Sequence, residues 1–249
     1  TQFLGLQKDI REIINYSGPK VFLATGFYLY NHIDLVSLII LFIAAMFFYL
    51  KMLKKHLSEK TAEKSALEYY AFKHPFFISI VVVVTVFQYF FGTPPFPVYA
   101  GLWGISFWIL VLLRKNSLDK LWFRWMLMLG GLYLIAYFDN MILLQHTFDK
   151  ILVLVLAILS IALGITGLRY IKRSEIRLDF IKGFLIYFII MEFLSLFLNL
   201  LDHFGASKRL MVVGILGMVL IILIRLTLEI LYKMFSLSME VFKKSDDNY

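Results

Sequence analysis

The chain of 249 residues contains no cysteine, and this absence removes several kinds of chemistry. Without a thiol, the protein cannot form a disulfide, bind zinc through cysteine, hold an iron–sulfur cluster or use a thiolate nucleophile. The sequence also lacks H-x-x-x-H and HExxH spacings, a Ser/His/Asp grouping and a glycine-rich phosphate loop. We therefore expect no cofactor, no metal ion and no enzyme activity.

Charged residues and prolines are scarce, whereas apolar residues are abundant. Charged residues make up 17% of the chain, prolines number five, and hydrophobic residues make up 61%, with a mean hydropathy of +0.80. Repeated apolar runs of this length are typical of membrane helices. The sequence predicts an all-α, polytopic membrane protein with about seven transmembrane helices, at about 33–50, 76–92, 96–113, 122–143, 151–168, 181–202 and 210–233.

Two flanking segments differ from the predicted transmembrane domain, which covers residues 32–235. Residues 1–31 read as an interfacial segment: apolar residues recur at helical spacing up to Ile14, and Ser17-Gly18-Pro19 is expected to end that helix. Residues 236–249 read as a cytoplasmic helix extension and tail. Because the chain opens with Thr1 and shows no signal peptide, we expect it to be part of a longer protein.

Lysine and arginine are distributed unevenly between the predicted spans. Alternate connecting segments carry 18 against 6 of these residues, and Arg225 lies inside a span. The positive-inside rule then places the N-terminus outside and the C-terminus in the cytoplasm. The formal charge of +8 is explained by this topology and by anionic lipid headgroups, so we expect membrane lipids and not nucleic acid as partners. The expected location is a cell membrane, the inner membrane if the source is bacterial.

Four polar residues near or within the predicted spans are candidate functional or structural residues, because a polar side chain in lipid must be paired or face water. Glu192 lies in the middle of the sixth span, as either a neutral carboxyl packed against a neighbouring helix or a proton or cation site. Asp139 ends the fourth span and is expected to be solvated at the outer surface, with a functional role as the alternative. Arg225 and Glu229 have the i,i+4 spacing of an ion pair on one helix.

Small residues could let the helices approach one another closely. Gly130-Gly131, Gly164-x-x-Gly167 and Gly214-x-x-Gly217 are the candidates, although none has the GxxxG spacing. If the last two spans fold back about Gly205, Glu192 lies opposite Met218.

Residues 76–235 resemble the membrane region that precedes the pore in large MscS-type mechanosensitive channels, of the potassium-efflux-associated and miniconductance kinds. The shared pattern is a proline-rich turn leading into a span that ends in Leu-Arg (PPFPVYAGLWGISFWILVLLRK, 94–115). It closes on a polar turn and a long helix (FGASKRLMVVGILGMVLIILIRLTLEILYKMF, 204–235). The resemblance implies a tension-sensing array of helices around a homoheptameric channel, with the pore in a part of the protein outside this chain.

Two other functions remain open. A seven-helix, receptor-like sensor would use the last helix to drive a cytoplasmic signalling domain, because that helix runs without proline from about Leu210 to about Phe242. A transporter would use Glu192 as its ion or proton site. No span is interrupted in mid-membrane as in many transporters, which favours a sensor.

Overall fold

The computed structural model describes the backbone of residues 2–60, 70–90, 92, 94–115, 118–141, 146–173 and 179–246. These residues form nine α-helices and no strand, which confirms the all-α prediction for the described part of the chain. The helices are α1 Gln2–Asn31, α2 Ile33–Lys60, α3 Tyr70–Lys73, α4 Pro75–Phe87, α5 Phe96–Leu113, α6 Lys120–Met141, α7 His146–Arg173, α8 Asp179–Leu200 and α9 Phe204–Asp246.

Six of the helices are long and apolar enough to cross a membrane, namely α2 and α5 to α9. They match six of the seven predicted spans and establish a membrane-embedded protein. The remaining predicted span corresponds to α4 and the 3₁₀ turn Gln88–Phe90 that continues it. This apolar segment, Pro75–Phe90, is about 24 Å long at 1.5 Å per residue, which is shorter than the ~30 Å hydrocarbon core.

The predicted helix end at Ser17-Gly18-Pro19 is wrong. Helix α1 runs without interruption from Gln2 to Asn31 and contains Pro19. Proline removes one main-chain hydrogen bond and opposes the helix locally, but the eleven residues between Pro19 and Asn31 continue the helix. The assignment of residues 1–31 to an interfacial segment remains a prediction.

Helix α9 is the longest element, with 43 residues and a length of about 65 Å. The prediction of one long final helix is confirmed, but the helix begins at Phe204 and not near Leu210. Its first turn takes in the polar segment Gly205 to Arg209, and the Ser207 N–H donates to the His203 carbonyl at 3.1 Å. The helix continues to Asp246, past the end of the predicted transmembrane domain.

The chain forms two compact units. Unit 1 contains the described residues of 1–31, 94–104 and 118–222. Within it, α7 and α8 pack closely because Gly164 has no side chain: a Cβ there would lie 2.5 Å from Ile189 Cγ1. Gly167 leaves room in the same way for the indole of Trp125, whose Nε1 donates to the Leu163 carbonyl at 2.8 Å. These glycines place α6, α7 and α8 around one core.

Unit 2 contains the described residues of 32–93, 105–117 and 223–249. Its α2 packs against α4, with Leu50 and Leu53 buried. Lys54 Nζ donates to the Phe72 carbonyl at 3.1 Å and so ties the end of α2 to α3. Few residues of α2 are fully buried against the described part of the chain: only 6% of those in its most apolar 18-residue segment are. The large side chains on its exposed face are mainly Phe, Leu and Ile, as expected for a helix in contact with lipid.

Candidate functional site

Glu192 lies in the middle of α8 and is completely buried, with 0% of its surface exposed. It packs against α9 where that helix has a glycine: a Cβ on Gly214 would lie 2.5 Å from Glu192 Oε1. Neither carboxyl oxygen has a hydrogen-bond partner among the described residues. The close approach predicted for Gly214 is therefore present, and the space left by its missing side chain holds the Glu192 carboxyl group.

The turn between α8 and α9 determines this register. Leu201, Asp202 and His203 form the turn, and Asp202 adopts φ of 66°. The chain therefore reverses earlier than the predicted point at Gly205, and Glu192 lies against Gly214, one turn before the predicted Met218.

Asp139 is not solvated, contrary to the sequence prediction. It lies in the last turn of α6 with 3% of its surface exposed. Its Oδ2 is 3.2 Å from Lys208 Nζ on α9, and Lys208 also donates to the Asp139 main-chain carbonyl at 3.2 Å. The prediction failed because the distance of a residue from the end of a span does not reveal which helices cover it.

Lys208 also binds a second carboxylate. Its Nζ donates to Asp149 Oδ1 at 2.9 Å and to Asp149 Oδ2 at 2.8 Å, in the first turn of α7. One ammonium group therefore lies within ion-pair distance of two buried carboxyl groups. We call Asp139, Asp149 and Lys208 the Asp–Lys–Asp cluster. The sequence analysis missed Asp149 and Lys208, although both lie at the ends of spans on the same predicted side as Asp139.

Further hydrogen bonds join α7, α8 and α9, the last two of which also contribute to the turn beside the cluster. Asn199, at the end of α8, donates from Nδ2 to the Lys150 carbonyl at 2.9 Å. One turn earlier on α8, Ser195 forms a reciprocal pair of hydrogen bonds with Ser207 of α9. Ser195 Oγ donates to the Ser207 carbonyl at 2.8 Å, and Ser207 Oγ donates to the Ser195 carbonyl at 2.7 Å. These hydrogen bonds fix the ends of α7, α8 and α9 relative to one another.

Glu229 forms an ion pair, but not with Arg225 as predicted. Its carboxylate takes two hydrogen bonds from Arg114, just past the end of α5, at 2.7 and 3.1 Å. Arg225 is exposed. The bidentate pair joins the end of α5 to the interior of α9 within unit 2, whereas an i,i+4 pair would have stabilised α9 alone.

Apolar grooves open on the surfaces of the described helices, and two of them are well formed. The larger, which we call the α2–α4–α9 groove, has a volume of about 520 Å³ and lies within unit 2. Its lining is Phe42, Ala45, Met46, Tyr49, Val82, Val83, Val86, Phe87, Leu231, Met234 and Phe235. The smaller lies between α6 and α7 in unit 1 and has a volume of about 420 Å³; its lining is Met128, Gly131, Leu132, Ile135, Leu159, Ala162, Leu163 and Thr166. Glu192 lines neither groove.

No known protein family, curated protein or solved structure matches this chain. Function is therefore inferred from the chain itself. Within the described ranges, no three His, Asp or Glu side chains group as ligands for a metal ion. Two features distinguish the described part of the molecule: an apolar helix surface with grooves, and buried polar contacts that hold the helices together.

Proposed function

We propose that the chain is a membrane-tension-sensing transmembrane region of an MscS-type mechanosensitive channel, with the pore in a part of the protein outside this chain. The protein would act as a homo-oligomer in the cell membrane, a heptamer if the resemblance to that superfamily holds. The observation that carries the proposal is the loose packing of unit 2: α2 has few protein neighbours, and the α2–α4–α9 groove has an entirely apolar or aromatic lining except for the Tyr49 hydroxyl.

Loose packing of this kind makes the conformation of a protein sensitive to lateral tension in its bilayer. Acyl chains can fill an apolar groove that opens onto lipid, and the volume of about 520 Å³ is large enough for part of one chain. If two packings of α2 and α4 differ in cross-sectional area, tension stabilises the wider packing. Membrane tension therefore acts as a ligand would: it shifts the protein from the population with the narrower packing of α2 and α4 to the population with the wider packing.

In this proposal the chain crosses the membrane seven times, with its N-terminus outside and its C-terminus in the cytoplasm. Helix α4 and its 3₁₀ turn would then cross a locally thinned bilayer, since short apolar segments are accommodated by thinning. The charge asymmetry of 18 against 6 supports the orientation. Helix α9 would run inward past the membrane surface and transmit the change in packing to the pore.

The test is electrical recording from the full-length protein in liposome patches while suction is stepped. We expect a conductance that opens with tension. Ala45→Trp, which fills the α2–α4–α9 groove, should raise the tension needed for half-opening because less acyl chain can enter. The matched control is Ala44→Trp, a neighbouring exposed position on α2 that does not line the groove, and it should behave as wild type.

Two results would contradict the proposal. Silence at lytic tension, with the protein shown to be inserted, would remove the channel function and favour the receptor-like sensor. Equal thresholds for wild type and Ala45→Trp would remove the groove as the tension-sensing element.

A further inference from the structure

We propose that the Asp–Lys–Asp cluster is a proton-binding site in which Asp139 carries the proton and Asp149 forms the ion pair with Lys208. This inference concerns a proton site in unit 1 and does not depend on the proposed function. It follows from the hydrogen bonds, the burial and the positions of the three residues on their helices.

The hydrogen bonds distinguish the two carboxyl groups. Lys208 donates to both oxygens of Asp149, which is the arrangement of an ionised carboxylate. At Asp139 the Lys208 ammonium donates to the main-chain carbonyl. It also lies 3.2 Å from Asp139 Oδ2, but neither side-chain oxygen receives a hydrogen bond of good geometry from a described residue. The Asp139 side chain has 0% exposure, so it is shielded from bulk solvent. An ionised carboxylate without donors is costly to bury, whereas a neutral carboxyl group is much less so.

The helix dipoles favour the same assignment. Asp149 lies in the first turn of α7, where the exposed N–H groups stabilise a negative charge. Asp139 lies in the last turn of α6, where unpaired carbonyl groups disfavour one. With both carboxylates ionised, the cluster would hold a buried net charge of −1; a proton on Asp139 makes it neutral.

Among the described residues, no second cation lies close enough to neutralise the negative charge that the cluster would carry without the proton. The charged groups that act on Asp139 are Lys208 and Asp149. From α8 the neighbouring polar group is the neutral amide of Asn199, and on α1, which packs on α6, Lys20 is exposed. Lys150 pairs with Asp202 at 2.6 Å at the surface, while His203 and Arg209 are exposed. The site lies where α6 and α8 end and α7 and α9 begin, which the charge asymmetry predicts to be the outer side.

The test compares thermal unfolding of the full chain in detergent between acidic and alkaline pH. The wild-type midpoint should fall by about 4 °C for each pH unit between the pH at which an unfolded carboxyl group ionises and the pH at which folded Asp139 releases its proton, and should then level off. Asp139→Asn keeps the shape and neutrality of the protonated group. Its midpoint should match that of wild type at acidic pH and lose this slope. Asp149→Asn should lower the midpoint at every pH, because it leaves Lys208 without its carboxylate.

The matched control is Asp202→Asn, which removes a surface carboxylate at the same end and tolerates the φ of 66°. It should keep the wild-type slope. Infrared spectra supply a second readout that does not depend on unfolding: the carbonyl stretch of a protonated carboxyl group should be weaker in Asp139→Asn than in wild type at mildly acidic pH, where Asp139 holds its proton and exposed carboxylates are ionised. An unchanged slope in Asp139→Asn, or an unchanged carbonyl band, would overturn the proposal. Equal destabilisation by Asp139→Asn and Asp149→Asn at acidic pH would overturn it as well.

Discussion

Gly214→Leu should lower the free energy of unfolding by about 3 kcal/mol, because the new side chain occupies the space that holds the Glu192 carboxyl group. The first added atom would lie 2.5 Å from Glu192 Oε1 and 3.3 Å from its Cδ. Glu192 is fully buried and cannot move aside unless α8 and α9 separate. Thermal unfolding in detergent should show a midpoint lower by roughly 6–12 °C.

The control on the same helix is Gly217→Leu. A Cβ at Gly217 has no atom within 4 Å, so this change should be neutral or should stabilise the helix by up to about 1 kcal/mol, since leucine favours a helix more than glycine. Glu192→Ala should recover part of the loss when it is combined with Gly214→Leu. Equal midpoints for Gly214→Leu and Gly217→Leu would show that Glu192 does not occupy this space.

Glu229→Arg should lower the free energy of unfolding by about 2 kcal/mol, from loss of the bidentate pair and from repulsion between two arginines. The side chain is 14% exposed at Arg114 and 42% exposed at Glu229, so solvent screens the new repulsion only in part. The reciprocal double variant Arg114→Glu with Glu229→Arg should recover most of the loss. Thermal unfolding of the two single variants and the double variant measures this coupling.

Arg225 provides the control for this pair. Arg225→Gln should change the free energy of unfolding by no more than about 0.5 kcal/mol, because the side chain is exposed. A double-mutant cycle should give no coupling between Arg225 and Glu229. Coupling in that cycle, together with none between Arg114 and Glu229, would restore the i,i+4 pair that the sequence predicts.

The helices could be predicted from sequence because each apolar run is long enough to determine one. Their ends could not. Phe204 begins α9 because the polar residues that follow tolerate a helix, and Pro19 does not end α1 because one lost hydrogen bond is outweighed by the residues on either side. Hydropathy therefore located the spans but not their first and last turns.

The partners of the polar residues could not be predicted from the sequence, for a different reason. Arg114 and Glu229 are 115 residues apart in the chain, so their pairing depends on which helices become neighbours. The same applies to Lys208 and Asp139, 69 residues apart. Local spacing could suggest only partners on the same helix, such as Arg225, for Glu229. Among the glycines, Gly164, Gly167 and Gly214 make the expected close approaches, whereas Gly131 and Gly217 face open space.

The most direct test of the tension-sensing proposal is a distance across the α2–α4–α9 groove. The absence of cysteine allows spin labels at two introduced cysteines, Val86→Cys and Phe235→Cys, both exposed and both lining the groove. Labelled chains are diluted with unlabelled ones, and pulsed electron resonance gives the distance in thick and in thin bilayers, since thinning imitates tension.

We expect the Val86–Phe235 distance to change as the bilayer thins. A control pair in unit 1, Val155→Cys on α7 with Ile190→Cys on α8, should keep its distance because those helices are packed closely at Gly164. A groove distance that is the same in every bilayer would contradict the account.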